Sequence, residues 1–298
     1  MIVVGAGPAG STAAAYLAMA GLTPLLLEKS AFPRPKACGD GLTPRAVKEL
    51  VSLGIGINEQ DGWMRNKGLR VFGGGHRLEL PWPTLASYPG FGLTLPREEF
   101  DLRLARHAQA QGAQLMENTA VTGPILDDRT GRVVGVTAKT PHGVKEFRAP
   151  VVIAADGGSA RLAAAIGRTP KPGRPVGVAV RVRLRLTKPP TRPGQLDWME
   201  SHLELWDGPR QDGKLMPGYG WVFPEAGGLV NVGVGSVTAK SGAAKVNYRA
   251  LLHKWLGTLA PLWGFDQQDV ADQPRSAALP MAFSRQPLYA RGLALVGD

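Results

Sequence analysis

The amino-terminal residues have the types and spacing that bind a nucleotide through its pyrophosphate. They form a Gly-x-Gly-x-x-Gly turn at Gly5, Gly7 and Gly10, with Ala9 inside it. Gly5 permits a sharp turn, Gly7 lets the pyrophosphate approach the backbone, and Gly10 allows a helix to pack closely on a sheet. Glu28 follows eighteen positions after Gly10. A carboxylate there accepts hydrogen bonds from a ribose 2′-OH and repels a 2′-phosphate, which favours FAD or NAD over NADP.

The surrounding pattern supplies the elements that must position this turn. Residues 2–4 are apolar, residues 11–20 are rich in Ala and Leu, and residues 24–27 form a second apolar run that ends in Glu28-Lys29. This order predicts a strand, a glycine turn, a helix and a second strand, which is the context that gives a glycine fingerprint weight. A glycine-rich turn of another α/β domain is the alternative.

The composition narrows the class of protein. The chain has 298 residues, of which 44% are hydrophobic and 20% charged, so it can form one large domain or two smaller ones. Its single cysteine excludes an internal disulfide framework and fits a reducing compartment. No window is apolar enough to predict a transmembrane helix, and residues 1–27 lack the basic region of a signal peptide. We therefore expect a cytoplasmic protein.

The net charge of +11 favours anionic partners. The sequence has no nucleic-acid motif and no Lys/Arg run, so nucleic acid is not an expected partner. Two interpretations stay open: a solvated basic surface, and attraction to phospholipid that would place the protein on the inner face of the cell membrane. No metal site is expected.

Four further segments carry residues suited to a ligand site. Residues 31–45 are rich in Pro and Gly and predict a loop, which holds Cys38 either near a cofactor or substrate or as a thiol without a role. Arg97 lies at the start of a predicted helix, where it contacts a cofactor or forms a surface ion pair. Asp156 and Gly297 each follow an apolar strand, at the edge where ligands bind in α/β sheets.

The second half of the chain predicts mainly strands. Residues 176–186 alternate strictly, with Val and Leu on one face and Arg181, Arg183 and Arg185 on the other. We interpret the arginine face as solvent-exposed, with contact to anionic lipid or a pyrophosphate as the alternative. Further strands are predicted at 196–206, 220–224 and 229–237, and a helix at 248–259.

These pieces together resemble the FAD-binding set of the p-hydroxybenzoate-hydroxylase superfamily. Two features resemble the geranylgeranyl reductase family within it: Lys-Ala-Cys-Gly-Asp-Gly-Leu at 36–42, and Tyr-Gly-Trp-Val-Phe-Pro at 219–224 followed by Gly-Val-Gly at 233–235. Residues 231–237 look most like actinobacterial members, which include enzymes acting on the prenyl tail of menaquinone.

The resemblance implies roles for individual residues. Gly5, Gly7, Ala9 and Gly10 would cradle the pyrophosphate, Glu28 would hold the adenosine ribose, and Asp298 the ribityl chain. The full set of implied cofactor-binding residues is Gly5, Gly7, Ala9, Gly10, Glu28, Lys29, Cys38, Gly39, Gly41, Arg97, Val121, Asp156, Gly297 and Asp298. Tyr219, Trp221 and Phe223 would line a lipid tunnel, with ordinary core packing as the alternative.

The implied fold is α/β with mixed α+β character. A Rossmann-like FAD-binding domain of the GR2 type would comprise residues 1–68, 97–169 and 281–298. An inserted β-sheet substrate domain would comprise residues 69–96 and 170–280.

The implied activity is reduction of isoprenoid C=C bonds in a prenyl lipid, either a geranylgeranyl group or a menaquinone tail, by hydride from N5 of reduced FAD. Cys38 is the candidate catalytic acid, and NAD(P)H or a ferredoxin-like protein the expected electron donor. An FAD-dependent monooxygenase or halogenase of the same fold is the alternative. Family members continue beyond Gly-Asp with a segment that meets the flavin and a helical part. We therefore expect the chain to lack that part, and an inactive truncated flavoprotein is a further alternative.

Overall fold

The computed structural model describes residues 1–169, 176–207, 212–238, 246–266, 268–280 and 287–297. In chain order the strands are β1 (Ile2–Val4), β2 (Leu25–Leu27), β3 (Gly41–Leu42), β4 (Met64–Asn66), β5 (Gly68–Gly73), β6 (His76–Pro81), β7 (Gly92–Thr94), β8 (Gln114–Met116), β9 (Ala120–Leu126), β10 (Val133–Thr140), β11 (Gly143–Arg148), β12 (Val152–Ala154), β13 (Val176–Arg185), β14 (Trp198–His202), β15 (Leu205–Trp206), β16 (Leu215–Met216), β17 (Gly218–Glu225), β18 (Leu229–Thr238), β19 (Arg275–Pro280), β20 (Tyr289–Ala290) and β21 (Leu293–Leu295). The α-helices are α1 (Pro8–Met19), α2 (Pro44–Ser52), α3 (Arg97–Ala110), α4 (Arg161–Ala165) and α5 (Tyr248–Trp263).

The chain divides into two compact units. The first unit comprises Met1–Pro35, Glu98–Arg174 and Pro280–Asp298, and the second comprises Lys36–Arg97 and Pro175–Leu279. These units differ from the predicted domains over residues 36–68, which pack with the second unit. The reason is that β3 and β4, both in this segment, hydrogen-bond to β7.

A parallel sheet forms the centre of the first unit. Among the described residues it has six strands in the order β20-β21-β12-β1-β2-β8, and only β20 runs antiparallel to its neighbour. Val4 pairs with Leu27 on one side and with Ala154 on the other, and Ala154 pairs with Leu295. The strands β1, β2, β12 and β21 therefore end at one edge, where ligands bind in open α/β sheets.

The predicted strand, turn, helix and strand at the amino terminus are confirmed as β1, α1 and β2. Pro8 stands in the first turn of α1, where its missing N–H is not needed by the helix. The buried positions of α1 are all small: Gly10, Ser11, Ala14, Ala15 and Ala18. Because these side chains are short, the helix backbone can lie close to the sheet.

A smaller sheet in the first unit follows the order β11-β10-β9. The sequence predicts a hairpin of residues 132–138 and 144–148. It is confirmed, since β10 and β11 pair in continuous register from Gly135↔Arg148 to Thr140↔Gly143. The sequence predicts a single strand from Leu115 to Val121, and this prediction is wrong because β8 and β9 are separate strands. Asn118 between them has a positive φ of 53°, which interrupts the extended backbone.

The second unit is built on a sheet with seven strands in its described part, in the order β19-β13-β18-β17-β14-β5-β6. One face packs against α5. The core there consists mainly of aliphatic side chains, among them Val180, Val182, Val222, Val232, Val234, Leu252 and Leu256. Residues of opposite parity lie on the other face because side chains alternate along a strand. That face carries the predicted substrate residues.

The remaining predicted elements of this half are confirmed in outline. Strands 220–224 and 229–237 correspond to β17 and β18, and the helix predicted at 248–259 continues to Trp263. The predicted strand 196–206 is divided, because a 3₁₀ turn at Gln195–Asp197 precedes β14 and a break separates β14 from β15. Within the described ranges, no helix is long and apolar enough to cross a membrane.

Candidate functional site

The glycine turn has the geometry of a phosphate cradle. Gly5 has a φ of 96°, and a Cβ there would lie 2.5 Å from the carbonyl oxygen of Ala155. A Cβ on Gly10 would lie 1.8 Å from the carbonyl oxygen of Gly5, so the close approach of helix and strand requires glycine. A Cβ on Gly7 would have one ordinary contact, with Arg34 Nη2 at 3.7 Å. These residues therefore fit a pyrophosphate at the N-terminus of α1.

Glu28 is a buried carboxylate that organises the residues around the turn. Its Oε2 accepts a hydrogen bond from the Ala6 N–H at 2.9 Å, and its Oε1 accepts one from the Ser30 N–H at 3.2 Å. Arg34 Nε lies 3.3 Å from Oε1, and Arg34 Nη1 lies 3.2 Å from the fully buried Asp101. Arg34 and Asp101 were not identified as site residues from the sequence. Asp101 belongs to a distant helix, so its contact with Arg34 is visible only in the fold.

Other predicted cofactor residues lie at the same edge of the parallel sheet. Asp156 follows β12, and its Oδ2 accepts a hydrogen bond from the Leu162 N–H at 3.2 Å, at the start of α4. Gly297 follows β21, and a Cβ there would lie 2.9 Å from Ala9 Cβ. Gly297 is therefore brought to the glycine turn. Asp298 lies outside the described residues.

Three further predicted cofactor residues have the following positions in the structure. Lys29 is exposed beside Glu28. Val121 is a half-buried residue of β9, opposite Ala138 in the smaller sheet. The N–H of Arg97 donates to Asp40 Oδ1 at 3.2 Å, a contact within the second unit. Their cofactor roles stay predictions.

In the second unit, the loop around Cys38 packs on an aromatic strand. A Cβ on Gly39 would lie 3.0 Å from the Phe223 ring and 3.3 Å from Trp221 Nε1. A Cβ on Gly41 would lie 2.6 Å from Met199 Sδ. Both glycines therefore permit contact between loop backbone and aromatic rings that a side chain would prevent.

Tyr219, Trp221 and Phe223 form a row along one face of β17. The ring centroids of Tyr219 and Trp221 are 5.9 Å apart, and those of Trp221 and Phe223 are 6.5 Å apart. Trp221 is buried, whereas Tyr219 is 45% exposed. Burial of the phenol raises the pKa of Tyr219, and the neighbouring Cys38 raises it further. The structure thus brings Cys38 and the aromatic row together.

Asn231 joins the loop to the aromatic row and was not identified from the sequence as a site residue. Its Nδ2 donates to the Cys38 carbonyl at 2.9 Å and to Asp40 Oδ2 at 2.7 Å. Its Oδ1 accepts from Trp221 Nε1 at 2.9 Å. Asn231 has no exposed surface. One amide therefore fixes the loop, a carboxylate and the indole.

The arginine face of β13 is buried at Arg181 and Arg183, so its interpretation as solvent-exposed is wrong at these positions. Arg183 lies 3.3 Å from Asp40 Oδ2 and 3.2 Å from Glu225 Oε2, and its N–H donates to Asp272 at 2.9 Å. Arg181 pairs with Asp272 and donates to the Lys36 carbonyl at 3.2 Å.

Arg185 is exposed, as predicted. Arg181 and Arg183 are buried because carboxylates from distant segments of the chain pair with them. The pattern of β13 alone does not show these partners.

The buried carboxyl groups of this cluster have displaced pKa values. Burial and the neighbouring charge of Asp40 raise the pKa of Glu225 to about 8, although Arg183 opposes the shift. Burial also raises the pKa of Asp40, against the attraction of Arg183.

Comparison with known proteins places this chain in a class. Residues 1–192 match the model of a family described as FAD binding domain. The menaquinone reductase of Mycobacterium tuberculosis is 38% identical over 300 residues, which cover 100% of this chain and 69% of that protein. Digeranylgeranylglycerophospholipid reductase 2 of Methanopyrus kandleri is 32% identical over 307 residues, with the same shares of 100% and 69%.

A solved structure has the same fold. The crystal structure of a geranylgeranyl bacteriochlorophyll reductase-like protein from Thermoplasma acidophilum superposes with a TM-score of 0.80 at 25% identity, over 99% of this chain and 69% of that one. The fold, the glycine turn and these matches define an FAD-dependent oxidoreductase. The chain belongs to the geranylgeranyl reductase family.

The close packing of Gly233 against Trp221 gives a first prediction. A Cβ on Gly233 would lie 2.1 Å from the Trp221 ring, whereas a Cβ on Gly235 would have only ordinary contacts, the nearest at 3.4 Å. We expect Gly233→Ala to lower the free energy of unfolding by about 1–3 kcal/mol because the ring must move. Gly235→Ala is the matched control, with no such loss. Urea unfolding measures both, and equal effects would contradict the packing argument.

The raised pKa of Glu225 gives a second prediction. The folded chain keeps this proton over a range in which the unfolded chain, with the ordinary pKa of 4.5, loses it. This contribution to the free energy of unfolding is full below pH 4.5 and is lost as the pH rises to about 8. Glu225→Gln should therefore show a smaller decline over this range than the unchanged protein.

Urea unfolding at several pH values measures this decline. The same substitution at exposed Glu146 is the control and should follow the unchanged protein. A Glu225→Gln curve with an unchanged pH dependence would show that Glu225 does not hold the proton.

Proposed function

We propose that this chain reduces C=C bonds in the isoprenoid tail of a prenyl lipid, of the geranylgeranyl or prenyl-quinone class. The observation that carries the proposal is the aromatic row of Tyr219, Trp221 and Phe223 beside the Cys38 loop. An isoprenoid offers only apolar surface, and an aromatic wall suits it. The names of the relatives from Mycobacterium tuberculosis and Methanopyrus kandleri support the same substrate class.

The first unit would hold the ADP half of FAD through the glycine turn. Reduced FAD, when bound, supplies a hydride to one carbon of the double bond. The other carbon needs a proton, because an unactivated alkene gains one hydride and one proton on reduction. The chain's task is therefore to position the alkene, exclude water and hold an acid.

Cys38 is the proposed acid. The Asp40 N–H donates to Cys38 Sγ at a distance of 3.4 Å, and Asn231 holds the Cys38 carbonyl. These contacts fix the loop while the thiol hydrogen stays available for donation. NAD(P)H or a ferredoxin-like protein is the proposed source of electrons.

Mass spectrometry of the lipid product tests the proposed reaction. The protein is incubated with FAD, dithionite and a prenyl quinone, so that no biological electron donor is needed. Dithionite also reduces the quinone head group, so the head group is reoxidised in air before the analysis, and a gain of two hydrogens per reduced double bond of the tail is then expected. A gain of oxygen that requires air and NAD(P)H would instead indicate a monooxygenase, and an unchanged lipid in the presence of bound flavin would contradict the reductase.

Substitution of Cys38 tests the acid. Cys38→Ala should lower the turnover number about 100-fold or more, since a positioned acid contributes at least that much. Bound FAD, measured by its visible absorbance, and the melting temperature should stay unchanged. Turnover equal to that of the unchanged protein would contradict the role of Cys38 as the acid. Lys36→Ala, at an exposed position in the same loop, is the control for loop disturbance.

A further inference from the structure

The strand register of the second unit reveals two parallel rows of side chains on the face opposite α5. The first row crosses four strands through Leu78, Val71, Ser201 and Trp221. The second row crosses from β6 to β14 through Leu80, Leu69 and Met199. Phe223 continues it, since a Cβ on Gly41 would touch both Met199 and Phe223. We call these eight positions the apolar lane.

The face of the lane follows from contacts on the other side of the sheet. Glu200, between Met199 and Ser201, accepts a hydrogen bond from Trp263 of α5 at 3.1 Å. Alternation along β14 therefore turns Met199 and Ser201 away from α5. The register carries this orientation across to β5 and β6.

Exposure rises along the lane from the aromatic row to the sheet edge. Met199 and Trp221 are buried at 3% and 5% exposure, whereas Leu78 and Leu80 on the edge strand β6 are 56% and 48% exposed. The lane spans three strand spacings, about 14 Å, and is two residues wide, about 7 Å. These are the dimensions of a track for one extended chain.

The lane contains no ionisable side chain, and Ser201 is its single polar residue. Charged residues bound one side of the lane, whereas the other side carries His76 and the exposed Leu203. His76 begins β6, and an ion pair of 2.7 Å joins Lys67 to Asp197 just before β5 and β14. Uncovered aliphatic side chains at a sheet edge are unfavourable in water, so this surface suits an apolar occupant.

We propose that the isoprenoid tail lies along the apolar lane and leaves the protein at Leu78 and Leu80. This inference rests on the proposed function and deepens it. The reacting double bond would lie at Trp221 and Phe223, and the rest of the tail would cross β14, β5 and β6. Continuity of the lane with the aromatic row carries the assignment. A short tail would end before the sheet edge, so Leu78 and Leu80 would contact only substrates with long tails.

The test uses Leu78→Asp, Leu80→Asp and the double variant. Val144→Asp is the matched control, because Val144 is an aliphatic residue of the hairpin strand β11 in the first unit and is 66% exposed. Two prenyl quinones serve as probes, one with a single prenyl unit and one with a long polyprenyl tail. Binding is measured by quenching of tryptophan fluorescence, and reduction by kcat/KM with dithionite-reduced FAD.

We expect the double variant to bind the long-tailed quinone about tenfold more weakly, with a matching loss in kcat/KM, because a carboxylate must be desolvated beneath the tail. Binding of the short-tailed quinone should stay within about twofold, and Val144→Asp should behave like the unchanged protein. The melting temperatures report whether each variant is folded.

Other results would overturn the lane. An equal loss of binding for both quinones would do so, and so would no loss for either. A third such result is an unchanged preference for the long-tailed quinone together with a smaller oligomer on gel filtration, which would indicate an interface between copies of this chain. Failure of the proposed function is distinguishable from failure of the lane. If the proposed function fails and the lane is correct, the unchanged protein binds the long-tailed quinone more tightly than the short-tailed one. The double variant then loses this preference, and neither quinone is reduced.

Discussion

The site in the second unit depends on the compensation of one buried cation. Arg183 projects from β13 and is 7% exposed, and leaving such a charge unpaired costs several kcal/mol. Asp40 and Asp272 compensate it, and the Glu225 carboxyl group lies 3.2 Å from it. Asp40 lies two residues after Cys38, so the ionic contact that the sheet requires also brings the Cys38 loop onto the sheet.

Asn231 extends this constraint to the aromatic row. Its amide offers both donors and an acceptor, so it can satisfy Asp40, the Cys38 carbonyl and the Trp221 indole together. An aspartate would present only acceptors to Asp40, and a leucine would leave the buried indole N–H without its partner. One neutral residue thus aligns the aromatic wall with the loop that carries the thiol.

The two units differ in how far their sequences predict them. The glycine turn, Pro8, the helix and Glu28 lie within thirty residues, and each has a local physical reason, so the fold of this segment is predictable. The alternation of β13 is equally visible, but rows of charge usually face solvent. Only the fold shows that Arg183 meets Asp40, 143 positions away. The roles of Arg34, Asp101 and Asn231 escaped prediction for the same reason, since their partners converge through tertiary packing.

The fold alone does not select a substrate, because one fold supports many chemistries. The type of side chain changes from strand to strand across the sheet face opposite α5. Ionic residues lie at β13, aromatic rings at β17, and aliphatic side chains at β5 and β6. A small polar substrate would gain nothing from aliphatic residues at the sheet edge. A long isoprenoid would, because every unit of its tail can remove apolar surface from water while one double bond is held beside Cys38. On this view the edge strand contributes binding energy that helps to align the reacting bond.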